Sequence, residues 1–258
     1  MRRFLDIALL QYDIKWLDIA SNLAELDVFF RDIPQTIDMI VLPEMFSTGF
    51  TMDPAPVAQS MEGEAIRWLV QKSSEKQALI VGSLIIRSEE KYYNRCVLIY
   101  PDGTISYQDK RHLFSYAGED ETFTAAGERK VFEWLGWKLF CGVCYDLRFP
   151  VWSRNDEGYD VAIYVANWPE SRIEAWDKLL MARAIENQSY VLAVNRVGVD
   201  GNEITYNGHS ALIDYEGKCC TKQLNKSGVL YGKLDSEALK KYRDHFRFLE
   251  DRDDFNIV

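Results

Sequence analysis

WKLFCGVCYDLRFP (Trp137–Pro150) opens with a run, Trp137–Val143, whose only charged residue is Lys138. Eleven positions past Pro150 begins VAIYVA (Val161–Ala166), and upstream lie DMIVL (Asp38–Leu42) and ALIVGSLII (Ala78–Ile86). Short apolar runs of this kind predict strands covered on both faces. Between them stand amphipathic helices. Asp18–Ile33 places Ile19, Leu23, Leu26 and Phe30 at helical spacing, with Asp18 or Ser21 near the cap. Glu62–Lys76 repeats the pattern with Ile66, Leu69 and Val70, and Ile173–Asn187 with Ile173, Trp176, Leu180 and Ala184; Leu239–Phe246 reads as a closing helix. Tyr93–Tyr100 and Thr104–Gln108 flank Pro101-Asp102-Gly103, a hairpin signal. Phe4–Leu10, Tyr190–Val197, His209–Asp214 and Val229–Leu234 complete the strands. About ten or eleven strands against four or five helices is strand-heavy for a doubly wound sheet. The expected fold class is therefore α/β, a four-layer α-β-β-α sandwich of two mixed sheets between helix layers.

Composition narrows the function. The 258 residues are 47% hydrophobic and 27% charged, an ordinary globular balance, with no repeat or linker, so residues 1–258 are expected to form one domain. The net charge of -10 repels phosphate backbones and anionic lipid, which argues against nucleic acid and membrane partners. A small anionic substrate remains compatible, because one buried cation outweighs a diffuse field. MRRFLDIALLQYD resembles a leader briefly, but Asp6 interrupts it and no small-residue cleavage site follows. No apolar run reaches the roughly 18 residues a membrane span needs. Five cysteines, an odd number, do not read as a disulfide framework, so a cytoplasmic address is expected and any important cysteine acts as a thiol.

Ligand crevices in α/β folds lie beyond the carboxyl ends of strands. Three reactive side chains follow predicted strands. Glu44, in VLPEMFSTGF, is a base candidate if burial raises its pKa, and otherwise a solvated loop acid. Lys110, in YQDKRHLF, is an oxyanion holder or a plain surface lysine. Cys144 stands at a strand-to-helix elbow, where backbone N–H donors would lower its pKa, or is simply a core cysteine. Other uses of the cysteines fit less well. Cys141 and Cys144 match C-x-x-C, but Cys141 lies inside a strand rather than before a helix. His112, His209 and His245 lack ligand spacing, so no metal is expected. A Cys–His pair would have to recruit His209 or His112, and His112 sits two residues from Lys110.

In combination, LPEMFSTGF, DKRHLF and CYDLRFP resemble the nitrilase, or carbon–nitrogen hydrolase, superfamily. The resemblance continues through VANWP (Val165–Pro169), ARAIENQSYV (Ala182–Val191), NRVG (Asn195–Gly198), GHSALID (Gly208–Asp214) and DRDDF (Asp251–Phe255). It implies a catalytic Glu44–Lys110–Cys144 triad, no cofactor, and a second glutamate near it, Glu119 rather than Glu121. The phrases DKRHLF and GVCYDLRFPVW are most similar to omega-amidases, which cleave the terminal amide of 2-oxo acids such as 2-oxoglutaramate and 2-oxosuccinamate. The scheme so implied is attack by Cys144, proton transfer by Glu44, oxyanion stabilisation by Lys110 and the N–H of Tyr145, and a thioester that water resolves. A nitrile, carbamoyl-amine or other aliphatic amide substrate is the alternative, and a non-catalytic scaffold a third.

A 2-oxo acid also needs a cation. Arg172 and Arg148 are the candidates, Arg148 being alternatively structural, paired with Asp146 or an acidic neighbour. Phe46, Tyr116, Trp168 and Trp176 are expected to wall the pocket, and Glu186 to form an ion pair behind the triad. A homodimer or higher oligomer is implied, with Phe246, Phe248, Phe255, Ile257 and Val258 as an apolar tail.

Overall fold

Along Phe4–Gln11 the side chains part by the period of two that a strand imposes: Leu5, Ile7 and Leu9 enter one core, Ala8 and Leu10 another. Every inner strand repeats this division, and the layers follow from it. A computed structural model describes residues 1–256. In chain order its elements are β1 (Phe4–Gln11), α1 (Ile19–Asp32), β2 (Met39–Val41), α2 (Glu64–Lys76), β3 (Leu79–Ser88), β4 (Lys91–Ile99), β5 (Ile105–Asp109), α3 (Glu119–Thr122), β6 (Val131–Trp134), β7 (Trp137–Val143), β8 (Val161–Val165), α4 (Ile173–Asn187), β9 (Tyr190–Val194), β10 (Val197–Val199), β11 (Thr205–Ile213), β12 (Cys219–Leu224), β13 (Gly228–Asp235) and α5 (Ser236–His245).

One sheet runs β13-β1-β2-β3-β4-β5, with β1, β2 and β3 parallel and the remaining pairs antiparallel. The other runs β10-β11-β9-β8-β7-β6, with β12 on β11 and β7, β8 and β9 parallel. Leu9, Val41, Val81, Cys141, Ile163 and Leu192 fill the space between the sheets. Leu23, Leu26 and Phe30 of α1 and Ile66 and Leu69 of α2 cover the first sheet over Ala8, Ile40 and Ile80. Trp176, Leu180 and Ala184 of α4 cover the second over Phe140, Ala162 and Val191. The order is helix, sheet, sheet, helix, as expected. Asp18 caps α1 by accepting from the Ser21 N–H. No helix of the described residues is long and apolar enough to cross a membrane.

Several boundaries differ from the sequence expectation. β6 and β12 carry no apolar run long enough to announce them. Tyr190–Val197 is not one strand, because Asn195 and Arg196 leave the ladder and turn their side chains inward. The residues after Cys144 form a short 3-10 turn, Cys144–Arg148, rather than a helix start. The closing helix begins at Ser236, where Asp235 accepts from the N–H groups of Glu237 and Ala238. Phe246, Phe248 and Phe255 are exposed; Ile257 and Val258 lie outside the described residues.

Candidate active site

Parallel strands point their carboxyl ends the same way, and side chains that follow them meet. Lys110 directly follows β5, Cys144 directly follows β7, and Glu44 stands just past β2. The Glu44 turn presses closely on β3: a Cβ at Gly82 would come within 2.9 Å of the Leu42 Cβ. Two non-glycine residues here hold left-handed backbone, Met45 at φ 43° and Cys144 at φ 45°. Such strain persists only where surrounding packing imposes it, and it concentrates at functional sites.

The converging groups form one buried network. The Lys110 Nζ lies 3.1 Å from Glu44 Oε1 and 2.8 Å from Glu119 Oε2, with its side chain only 1% exposed and both carboxylates at 0%. Asn94, on β4, donates to Glu44 Oε1 at 2.7 Å and to Glu119 Oε1 at 3.2 Å. The Asn167 N–H donates to Glu44 Oε2 at 2.7 Å, and the Phe114 N–H to Glu119 Oε2 at 2.6 Å. The Cys144 thiol lies beside this network and lines the same cleft as Lys110. Burial alone would lower the Lys110 pKa, but Glu119, Glu44 and Cys144 outweigh it and raise it. Burial pushes the Glu119 carboxyl up; Lys110 opposes this and Glu44 adds to it. Burial, then the Glu44 charge, push the Cys144 thiol well above its ordinary range, and Lys110 counters only in part. The expectation that elbow N–H donors lower the Cys144 pKa is thus corrected: two carboxylates and desolvation prevail. This ensemble can transfer a proton from sulfur to carboxylate while keeping one fixed cation beside the reacting atom.

The cluster opens onto a narrow cleft of about 20 Å³. Phe50, Phe114, Tyr145 and Trp168 supply its aromatic walls, and Arg148 and Arg172 its charge. Glu44, Lys110, Cys144 and Glu119 are therefore brought together, with Tyr145, Trp168 and Arg172 beside them, while Glu121 is exposed. Three expected wall residues are elsewhere. Phe46 points under the sheet into the core beside Trp68, its backbone held by Ser83; Phe50, further round the same loop, faces the cleft. Tyr116 is 88% exposed at the tip of its turn, and Phe114 takes the wall position. Trp176 lies one layer back, against Trp168 at 5.4 Å. Arg148 does not pair with Asp146, which instead accepts from the Val143 N–H and from His112. His112 is thereby committed to Asp146 and stacked on Phe149 at 3.7 Å. Glu186 pairs with Arg183, which donates to the Leu147 carbonyl behind the elbow.

The carbon-nitrogen hydrolase family model matches residues 6–244. The chain belongs to that family. This carbon-nitrogen hydrolase is 47% identical over 255 residues to the omega-amidase YafV of Yersinia enterocolitica, covering 98% of this chain and 99% of that protein. It is 29% identical over 250 residues to the 2-oxoglutaramate amidase of Bacillus subtilis (strain 168), covering 95% and 96%. Among solved structures, XC1258 of Xanthomonas campestris, a CN-hydrolase superfamily protein with an arsenic adduct in its active site, matches with TM-score 0.97 at 38% identity over 100% of both chains.

Three asparagines of this hydrolase escaped the sequence reading. Asn94 and Asn167 hold Glu44, and Asn195 holds the Trp168 backbone through both its amide atoms. The available signal was an amide interrupting or directly ending an apolar strand, where no solvent can satisfy it. Asn94→Ala removes the donor shared by both carboxylates. The kcat is expected to fall about 10- to 100-fold with KM little changed, since displaced reacting groups cost rate before affinity. Steady-state kinetics of the purified variant checks this; an unchanged kcat would remove Asn94 from the positioning of Glu44.

Proposed function

We propose that this hydrolase is an omega-amidase, cleaving the terminal amide of small 2-oxo-dicarboxylic acid monoamides through a Cys144 thioester. The observation that carries the chemistry is a buried carboxylate and ammonium in contact with each other, with the ammonium lining the same cleft as a partly buried thiol. The substrate class is supported by near-full-length likeness to proteins named omega-amidase and 2-oxoglutaramate amidase.

Cys144 Sγ attacks the amide carbon as its proton passes to Glu44. The carbonyl π electrons become an oxyanion beside Lys110 and the Tyr145 N–H. The C–N bond then breaks, Glu44 returns the proton to nitrogen, and ammonia leaves. Water attacks the thioester, giving its proton to Glu44; the S–C bond breaks and the thiol is restored. Lys110 remains protonated throughout, which its two carboxylate partners favour. Glu119 fixes Lys110 by two short bonds and so sets where the positive charge stands.

Because the resting sulfur is a thiol whose proton passes to Glu44, iodoacetamide labelling of Cys144 near neutral pH is expected to slow about 100-fold in Glu44→Gln. Labelling as fast as in wild type would reveal a preformed thiolate and overturn proton transfer to Glu44.

Ammonia release from 2-oxoglutaramate, 2-oxosuccinamate, glutamine, an aliphatic nitrile and a carbamoyl-amine tests the substrate assignment. Turnover is expected with the first two. Preference for the nitrile or the carbamoyl-amine would move the same triad to another C–N bond. A cytoplasmic address is supported by five unpaired cysteines. Self-association is supported by exposed Val151, Ile185, Phe246 and Phe248, and light scattering would measure it.

A further inference from the structure

The chain has sixteen arginines, and among the described residues fourteen of them donate to a carboxylate or a carbonyl. The two with no such partner are Arg148 and Arg172, and both line the cleft that holds Cys144. In a protein of net charge -10, acids are plentiful, so two unpaired guanidiniums in one small cleft form a built feature. Each guanidinium is held against an aromatic ring. The Arg148 Cζ lies 4.9 Å from the Trp168 ring centre, and the Arg172 Cζ 5.1 Å from that of Phe114. Trp168 is itself anchored, by Asn195 on its backbone and by its indole N–H on the Arg172 carbonyl. No acceptor among the described residues takes the guanidinium N–H groups of Arg148 and Arg172, and the N–H edge is the part of a guanidinium that grips a carboxylate bidentately. Lys110 cannot serve instead, because Glu44 and Glu119 already occupy it.

We propose that Arg148 and Arg172 form a carboxylate clamp that selects anionic amides and rejects amino-acid amides. The proposal rests on the omega-amidase reading of the site and adds the device that sets its specificity. A 2-oxo acid brings only negative charge to the clamp. Glutamine brings an ammonium on the carbon next to the carboxylate, so a third cation would be placed beside two others, without an acid to receive it. Rejection of this kind comes from an unfavourable contact with the wrong substrate rather than a better one with the right substrate.

The test is the ratio of kcat/KM for 2-oxoglutaramate over that for butyramide, a neutral amide, in wild type, Arg172→Met and Arg148→Lys. Removing one member of the clamp is expected to lower this ratio about 30-fold or more, mainly through KM for the anion. The gap between 2-oxoglutaramate and glutamine is expected to narrow in the same variants. Should Arg172→Met fail to fold, Arg172→Lys carries the test, since it keeps the charge and loses the fork. A ratio within twofold of wild type in the folded variants would overturn the clamp and leave the omega-amidase reading standing. Absence of wild-type turnover on 2-oxoglutaramate would instead sink that reading, and the clamp would then be judged by the same criterion on succinamate against butyramide.

Discussion

Cys144→Ala is expected to lower amide turnover by about 100,000-fold or more, to the level of background hydrolysis. The rest of the site does not act in parallel with the thiol: Glu44 has no proton to take, and Lys110 no oxyanion to stabilise, until sulfur attacks. Loss of the nucleophile therefore costs nearly the whole rate enhancement, not a share of it. Stability should change little. Cys144 sits at the cleft edge with φ 45°, and alanine is no worse than cysteine in that backbone region. Two measurements check the result together. Ammonia release should vanish while the thermal midpoint stays within a few degrees, and rapid quenching with substrate should yield an acylated protein mass for wild type only. Undiminished turnover in the variant would end the thioester mechanism.

Lys110→Met is expected to damage both activity and folding. Its ammonium lies between Glu44 and Glu119, all three excluded from solvent. Removal leaves two buried carboxylates sharing Asn94 with no counter-ion. Stranding buried charge costs about 3–5 kcal/mol of stability near neutral pH. Loss of the cation beside the developing oxyanion costs about another 100- to 1000-fold in kcat. The pH dependence has a definite sign. Burial and Glu44 already raise the Glu119 pKa, while Lys110 opposes them, so removing Lys110 raises it further. A carboxyl whose folded pKa exceeds its unfolded value favours the native state while protonated and loses that contribution as pH rises through the folded value. The variant's deficit relative to wild type should therefore be smaller at pH 5 than at pH 8. Urea unfolding at both values measures it. An equal deficit would mean that the lysine contributes packing and not charge balance.

The layer order and most helices were legible because burial writes a periodic pattern into the chain. Trp137–Val143 and Ile173–Asn187 have their expected limits, since both patterns end abruptly at a polar or turn-forming residue. β6 and β12 were silent, because strands at the margin of a sheet need few apolar residues. Glu44, Lys110 and Cys144 could be nominated from their place after strands and from family resemblance. Glu119 could be preferred to Glu121 only by spacing, and it is the fold of the Phe114–Thr122 segment that buries one and exposes the other.

Side-chain direction at loop positions is what local sequence leaves open. Phe46 and Phe50 occupy one loop and are equally aromatic, yet the turn at Met45 sends the first beneath the sheet and leaves the second at the cleft. The Cys144 pKa is likewise a tertiary property: after burial, carboxylates 100 and 25 residues away in sequence, Glu44 and Glu119, raise it. The free state of Arg148 and Arg172 follows from which acidic side chains reach them through space, which no stretch of sequence records. Sequence by itself determined which residues must be buried and which strand ends carry reactive groups, because those depend on local apolar periodicity. The tertiary structure decided which groups share a proton, which cation stands unpaired and which ring faces the substrate, because distance and dielectric act through space.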